Sequence, residues 1–370
     1  MSATATSEPL RALVIGCGAV AGGYDAARGL SPDGEVLSHA RAYGLHPGFR
    51  LVACIEPDAA RRAEFMAAWG IPHGFASLAE CDVPFDVASV CVPTEAHVET
   101  LERLLAAPPP QPSPARGEGA FFSSPSPLAG EGWGGGAART LRAVWCEKPL
   151  SLDLAAATRL VEAYRAAGVL LAVNYMRRWD PDMVALRDDI ASGRLGRLQS
   201  AFGRYTKGIA TNGSHMLDLL AFLTGAPLAP LAVHRRLDDF SADDPTLTAT
   251  LATADGAPVQ LAGLDRAAFT VFELDLAFER ARVTIEESGY RMRRQAVVDN
   301  PRYPGYRMLE AAESRPTGLG RAFLSAADNI HRAVTAGAPL ASDGASALAV
   351  QSLCAGLTGM AAHLPWGETR

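Results

Sequence analysis

Short, continuous apolar runs recur through the first half of the chain, at residues 10–15, 49–55, 85–92, 141–146 and 169–173. Each has strand length, and none alternates apolar with polar as a half-exposed strand does. Between them, residues 59–69, 96–106 and 154–167 carry apolar positions at helical spacing. Strands alternating with helices predict parallel pairing through right-handed crossovers, in a sheet covered on both faces.

The second half is patterned differently. A strand is predicted at 198–205 and a helix at 214–223, closed by Gly225. Strand-like runs follow at 231–237, 246–253, 259–264, 269–278 and 281–286, separated by turns such as Asp255-Gly256 and Glu279-Arg280. Successive strands without helices between them predict an antiparallel or mixed sheet. Residues 322–335 and 345–361 read as closing helices. The expected architecture is α/β: a Rossmann parallel sheet over 1–150, then an α+β substrate and oligomerisation domain with an open-faced mixed or antiparallel sheet over 151–370. Residues 151–175 and the C-terminal helix are expected to pack back on the first domain.

Residues 108–140 break this rhythm. They are rich in Pro, Gly, Ser and Ala and contain an imperfect repeat, PSPARGEG at 112–119 and PSPLAGEG at 125–132. Such composition predicts a disordered surface insertion. Phe121, Phe122 and Trp133 would let it dock as a lid.

Composition narrows the classes. The 370 residues are 48% hydrophobic and 20% charged, with a formal net charge of −6, which suits a globular enzyme and gives no basic patch for nucleic acid or an anionic membrane. The six cysteines form no CxxC pair, so neither a zinc knuckle nor a redox pair is indicated, and no metal is expected. No signal-peptide core precedes Leu10, and no run is expected to approach a membrane span, so the expectation is a reduced, cytoplasmic protein.

Candidate chemistry begins where the first run ends, at Gly16-Cys17-Gly18-Ala19-Val20-Ala21. In GxGxxA the first glycine permits a tight turn, the second lets a phosphate approach the backbone, and a small third residue keeps strand and helix close. The same residues also occur in plain tight turns. Glu56 closes the second strand, where a carboxylate bonds ribose hydroxyls and repels a 2'-phosphate, favouring NAD; Arg61 and Arg62 leave NADP open. Glu56 comes 38 positions after Gly18, against about 20 in a plain βαβ unit. The excess maps to 22–32, before a helix starting near Asp33 or Ser38. This predicts a loop inserted after the phosphate turn, carrying Tyr24 and Asp25 either to the cofactor or substrate mouth or out onto the surface. It also weakens the helix dipole expected at a pyrophosphate.

At Glu147-Lys148-Pro149 a lysine stands at the carboxyl end of a central strand, where open α/β sheets bind ligands. Its ammonium suits a hydroxyl or ketone oxygen. Here the chain resembles the glucose–fructose oxidoreductase, inositol dehydrogenase and MocA family. The likeness rests on Cys146-Glu147-Lys148-Pro149-Leu150 and Asn174-Tyr175-Met176-Arg177-Arg178-Trp179-Asp180-Pro181. It rests also on Gly193-Arg194-Leu195-Gly196, Gly213-Ser214-His215-Met216-Leu217-Asp218 and Ser342-Asp343-Gly344. It spans nearly the whole chain, except 108–140 and the loop after the glycines.

The resemblance implies hydride transfer between NAD, or NADP, and a sugar or polyol. It implies that Lys148 contacts the reacting oxygen and His215 moves the proton, an imidazole being suited to that by its near-neutral pKa. For the dinucleotide it implies Gly16, Gly18, Ala19, Val20, Glu56, Pro93, Thr94, His97, Glu147 and Lys148. For substrate it implies Lys148, Arg178, Lys207, Asn212 and His215. The family's frequent aspartate four residues before the histidine is Thr211 here, which cannot supply that charge. Asp218, three residues on along the helix, and Tyr175 are the candidates to replace it. The stretch Arg204 to His215 resembles members associated with surface-polysaccharide or nucleotide-sugar metabolism. Three expectations therefore stand: a sugar, polyol or nucleotide-sugar oxidoreductase, associating as a homodimer or tetramer; a catalytically impaired nucleotide-binding regulator of the same fold; and an interaction protein built on the open sheet.

Overall fold

The computed structural model describes residues 8–106, 141–241 and 243–362; the expected insertion at 108–140 lies outside the described residues. All five apolar runs of the first half become strands: β1 (Leu10–Ile15), β2 (Phe49–Ile55), β4 (Val87–Val90), β5 (Ala143–Cys146) and β6 (Leu170–Val173). A short β3 (His73–Phe75) joins them, and the six pair in parallel in the order β3-β2-β1-β4-β5-β6. The helices are α1 (His39–Leu45), α2 (Ala59–Trp69), α3 (His97–Ala106) and α4 (Leu154–Ala166). α2 shows how local signals fix ends: the Asp58 carboxylate accepts the Arg61 N–H, and Gly70 closes it at φ +64°.

The side chains of β1 divide between two buried clusters, Leu13 and Ile15 on one face and Leu10, Ala12 and Val14 on the other. A strand buried on both faces has no polar side, which accounts for the continuous runs. The strand order reverses between β1 and β4, and that crevice beyond the carboxyl ends is where such sheets take their ligands.

The second sheet follows α5 (Pro181–Ala191). It comprises β7 (Leu198–Tyr205), β8 (Ala229–Ser241), β9 (Asp244–Ala252), β10 (Pro258–Gly263), β11 (Phe272–Phe278), β12 (Ala281–Glu286), β13 (Arg291–Asp299), β14 (Arg307–Leu309) and β15 (Glu313–Pro316). Its order is β14-β13-β12-β11-β7-β10-β9-β8, with β15 beside β13. β7 runs parallel to β10 and antiparallel to β11, so the sheet is mixed. β11 and β12 alternate buried with half-buried residues: one face meets the core and the other is only partly covered. β13 carries no apolar run to mark it, since Arg291, Arg293, Arg294 and Gln295 fill its first half. It forms because β12 and β15 offer it a ladder on both sides.

α6 (Ser214–Thr224) packs against α5 and α8 (Gly344–Ala362), and α7 (Ala322–Ala336) lies on α1. One apolar core runs without a break from the α3–α4 side of the first sheet, through α6 and α8, to the inner face of the second. β6, beyond residue 150, belongs to the first sheet. One expectation is corrected. α8, 19 residues with a mean hydropathy of 1.3 over its most apolar window, is long and apolar enough to cross a membrane. It packs on α4, α6 and β8 and buries Ala347, Val350, Cys354, Leu357 and Ala361.

Candidate active site

The glycine turn connects β1 to the crevice. Gly16 has φ +86°, and a Cβ there would stand 2.9 Å from the Cys91 carbonyl and the Val92 nitrogen, so only glycine fits the crossing of β1 and β4. A Cβ on Gly18 would meet nothing within 4 Å. Gly18 and Ala19 are exposed and Ala21 is fully buried, leaving bare backbone open to a phosphate above a tightly packed turn. Glu56 lies under the turn: its Oε2 accepts the Cys17 N–H at 3.1 Å and its Oε1 the Asp58 N–H at 3.1 Å. Arg61 approaches Oε1 to 3.6 Å. The turn, the open backbone above Gly18 and the carboxylate at the end of β2 fit a dinucleotide.

The inserted loop is an excursion from a single helix. Gly22 and Gly23 donate to the Gly18 carbonyl, making one turn. The chain then departs and returns at α1, whose His39 and Ala40 N–H groups bond to the Val20 and Ala21 carbonyls. Asp25 is fully buried and holds the departure shut, accepting Ser38 Oγ at 2.7 Å and the Leu37 N–H at 2.8 Å. Asp25 is therefore spent on the loop, whereas Tyr24 is exposed. Arg41, buried, donates to the carbonyls of Gly29, Ser31 and Asp33, each at 2.8 Å. A turn of helix thus does follow the glycines, continued by α1.

At the end of β5, Glu147 turns into the protein. Its Oε1 meets His39 Nε2 at 3.0 Å and accepts from Asn174 Nδ2 at 2.6 Å. Burial pushes this carboxyl up, but His39, Asn174 and Lys148 outweigh it and hold it below the usual range. His39 Nδ1 in turn lies 3.0 Å from Ser89 Oγ. Glu147 thus anchors the lysine loop through Oε1. The His97 ring nitrogens stand 2.7 Å from the Pro149 carbonyl and 3.0 Å from that of Val92, stapling the loops after β4 and β5 together. Pro93 and Thr94 lie in the loop this staple holds.

Lys148, half-buried and joined to Pro149 by a cis peptide bond, donates Nζ to the Thr211 carbonyl at 2.8 Å. Burial draws its pKa below 10.5, opposed by Glu147 and Asp244. Thr211 belongs to a wide π-type turn, Gly208–Gly213, that runs straight into α6 and His215. Such turns are rare and cluster at functional sites. The His215 ring stands edge-on to Tyr175 at 5.5 Å. Burial, then Lys148 and Arg177, depress its pKa well below 6.5, so the imidazole is neutral at neutral pH. Burial pushes the Tyr175 phenol the other way, well above 10, which makes it a wall for the imidazole and a poor acid.

Asp218 does not supply the missing acid. Both its oxygens accept Arg178 Nε, at 2.9 and 3.0 Å, and the pair is buried. The same bond commits Arg178 Nε to Asp218, and its Nη1 reaches the Ala341 carbonyl at 3.2 Å. Lys207, at φ +67°, precedes the π turn, and Asn212, half-buried, is its fifth residue. The structure brings Lys148, His215 and Tyr175 together at the π turn that follows Lys207 and contains Asn212, while Gly16, Gly18, Ala19, Val20 and Glu56 lie at or just beyond the carboxyl ends of β1 and β2. Sequence reasoning missed His39 and Asp244, which no motif or spacing marks; Asn174 stood in the run Asn174 to Pro181 without a role, and the guanidinium of Arg177, from the same run, stacks 3.8 Å over Phe272. Among the described residues no group of three or more metal-ligating side chains converges.

No family model matches the chain. Over 161 residues it is 24% identical to an inositol 2-dehydrogenase of Rhizobium meliloti, covering 44% of this chain and 39% of that protein. The chain spans less than two-thirds of the length of the curated relatives it matches. Among solved structures it shares its fold with an oxidoreductase from Agrobacterium radiobacter in complex with NAD+, L-tartaric acid and magnesium, at a TM-score of 0.68, 17% identity and 96% coverage of both chains. It also shares it with KijD10, a 3-ketoreductase from Actinomadura kijaniata in complex with NADP and TDP-benzene, at a TM-score of 0.68 and 18% identity, covering 95% of this chain and 98% of that one.

Proposed function

We propose that this chain, which belongs to the glucose–fructose oxidoreductase, inositol dehydrogenase and MocA family, is an NAD(P)-dependent oxidoreductase acting on a hydroxyl or ketone of a sugar, polyol or nucleotide sugar. The observation that carries the reading is that Lys148 Nζ bonds to Thr211 of the π turn, which runs directly into α6 and His215, so that the ammonium and the imidazole stand close enough to feel each other's charge. A bound nicotinamide would supply the hydride acceptor or donor. In the oxidative direction, His215, neutral at rest, takes the hydroxyl proton. Lys148 holds the oxygen with an N–H left over from its bond to Thr211 and stabilises the charge that grows there. Tyr175 keeps the imidazole in place. Lys207 and Asn212 stand at the rim for further substrate hydroxyls or a phosphate. A cytoplasmic location and association as a dimer or tetramer belong to the same reading.

The test is calorimetric titration with NAD(H) and NADP(H), followed by a screen of sugars, inositols and nucleotide sugars. Absence of binding to either dinucleotide ends the proposal. The second reading, a nucleotide-binding regulator without turnover, is favoured by Thr211 in place of the usual acid; it predicts dinucleotide binding with no substrate turned over.

Glu56 carries the cofactor preference. Glu56→Ser removes the repulsion of a 2'-phosphate and releases Arg61 from the carboxylate. The ratio of NADP to NAD affinity is expected to rise at least about tenfold, some 1.4 kcal/mol, while both affinities fall because Cys17 loses its acceptor. An unchanged ratio removes Glu56 from cofactor selection.

A further inference from the structure

The π turn is held from an unexpected side. Asp244, the first residue of β9, accepts the Ala210 N–H at 2.7 Å on Oδ1 and the Thr211 N–H at 2.9 Å on Oδ2. Two residues on, Thr246 Oγ1 accepts the Gly208 N–H at 2.9 Å. Lys207 and Gly208 both take positive φ, 67° and 74°, which reverses the chain onto this carboxylate, and a Cβ at Gly208 would fall on the Asp244 oxygens. The far side of the same residue receives the lysine: the Thr211 carbonyl accepts Lys148 Nζ at 2.8 Å and Ser214 Oγ at 3.3 Å. Thr211 is thus clamped at its N–H by Asp244 and at its carbonyl by Lys148, and four residues later the chain delivers His215.

We infer that Asp244 is a positioning residue for the proposed reaction, supplying from β9 the carboxylate that position 211 lacks and setting both Lys148 and His215 through the backbone of the π turn. This rests on the oxidoreductase reading. An acid acting through two N–H groups orients a turn as firmly as a side-chain pair would. Its charge also favours the ammonium form of Lys148. The groups facing Lys148 are Glu147 beside it, Asp244 from β9, Arg177 from the segment after β6, Cys354 from α8 and His215 from α6. Of the two acids, Glu147 is committed to His39 and Asn174. Asp244 is the one bound to the turn that holds the lysine. The sign follows: removing this anion destabilises the protonated amine, so the Lys148 pKa falls.

The first experiment needs no substrate. Lys148 in the full-length protein is labelled with acetic anhydride across a pH series and read by mass spectrometry, for wild type, Asp244→Asn and Thr246→Val. In D244N the Lys148 labelling curve is expected to move to lower pH by about one unit, and the alkaline limb of turnover moves with it. T246V loosens the same turn without removing charge, so its curve stays in place. A folded D244N whose curve superimposes on wild type overturns the proposal, as does an equal shift in T246V. Should D244N not fold, Asp244→Glu decides, because it keeps the charge and displaces the clamp. A fall in kcat of at least about tenfold with the labelling curve unmoved supports positioning through the turn, and an unchanged kcat overturns it. Should wild type turn over nothing in the screen, the oxidoreductase reading fails by itself while the labelling shift still decides the role of Asp244 at Lys148.

Discussion

Lys148→Met is expected to lower kcat/KM by about 10²- to 10⁴-fold, while dinucleotide affinity by calorimetry changes only a few-fold. Methionine keeps the length and apolar stem that pack in the half-buried site, and removes the charge and all three donors. One donor is spent on the Thr211 carbonyl, and the others are what the reacting oxygen uses. The pH profile adds an independent sign. In alcohol oxidation the site needs a neutral His215 and a charged Lys148. Burial with the Lys148 and Arg177 charges depresses the histidine, so the acidic limb should fall below 6.5. Burial also lowers the lysine, so the alkaline limb should fall below 10.5. Lys148→Met should abolish the alkaline limb along with most of the rate. A variant that turns over normally would transfer the oxygen-binding role elsewhere.

Arg178→Met is expected to cost about 3–5 kcal/mol of unfolding free energy, measured by denaturant titration. The Arg178 and Asp218 side chains are 11% and 2% exposed, and Nη1 also reaches the Ala341 carbonyl at 3.2 Å. Burial already pushes the Asp218 carboxyl up to about 7 against the pull of the guanidinium. Without that cation the carboxylate is stranded in the core or takes up a proton. Its folded pKa then lies further above the unfolded value of 3.8, so folding binds a proton. The deficit should be smallest below about pH 7, where Asp218 is protonated in both folded proteins, and grow as pH rises above it. Replacing both residues, Arg178→Met with Asp218→Leu, should recover most of the loss, since an apolar pair of similar volume leaves no charge uncompensated. A variant as stable as wild type at pH 8, with a raised KM, would return Arg178 to substrate binding.

The two halves of the site differ in how far they could be read from sequence. The glycine turn is a local device: Gly16 is required where β1 crosses β4, and its spacing and the acid at Glu56 are visible in a linear string. The inserted loop was legible as excess length, because a βαβ unit has a nearly fixed span. What the loop does was not. Asp25 sits in a sequence typical of a surface turn, yet it is fully buried as the knot of the excursion. His39, Glu147 and Asn174 come from three separate elements and meet only because β5 and β6 are neighbours with α1 laid over them.

The sequence by itself determined the class of the fold, most strand and helix positions, and the two motifs that bracket the crevice. These depend on periodicity and on short-range turn chemistry, which act within a few residues. Only the tertiary structure decided how charged side chains are paired. Helical spacing put Asp218 within reach of His215, but folding turned it to Arg178, 40 positions away. Thr211 carried no acid, but folding brought Asp244 to its N–H from 33 positions on. A buried charge takes whichever partner the packed chain sets within hydrogen-bonding distance, because leaving it unpaired in a low-dielectric interior costs more than any local preference can offset.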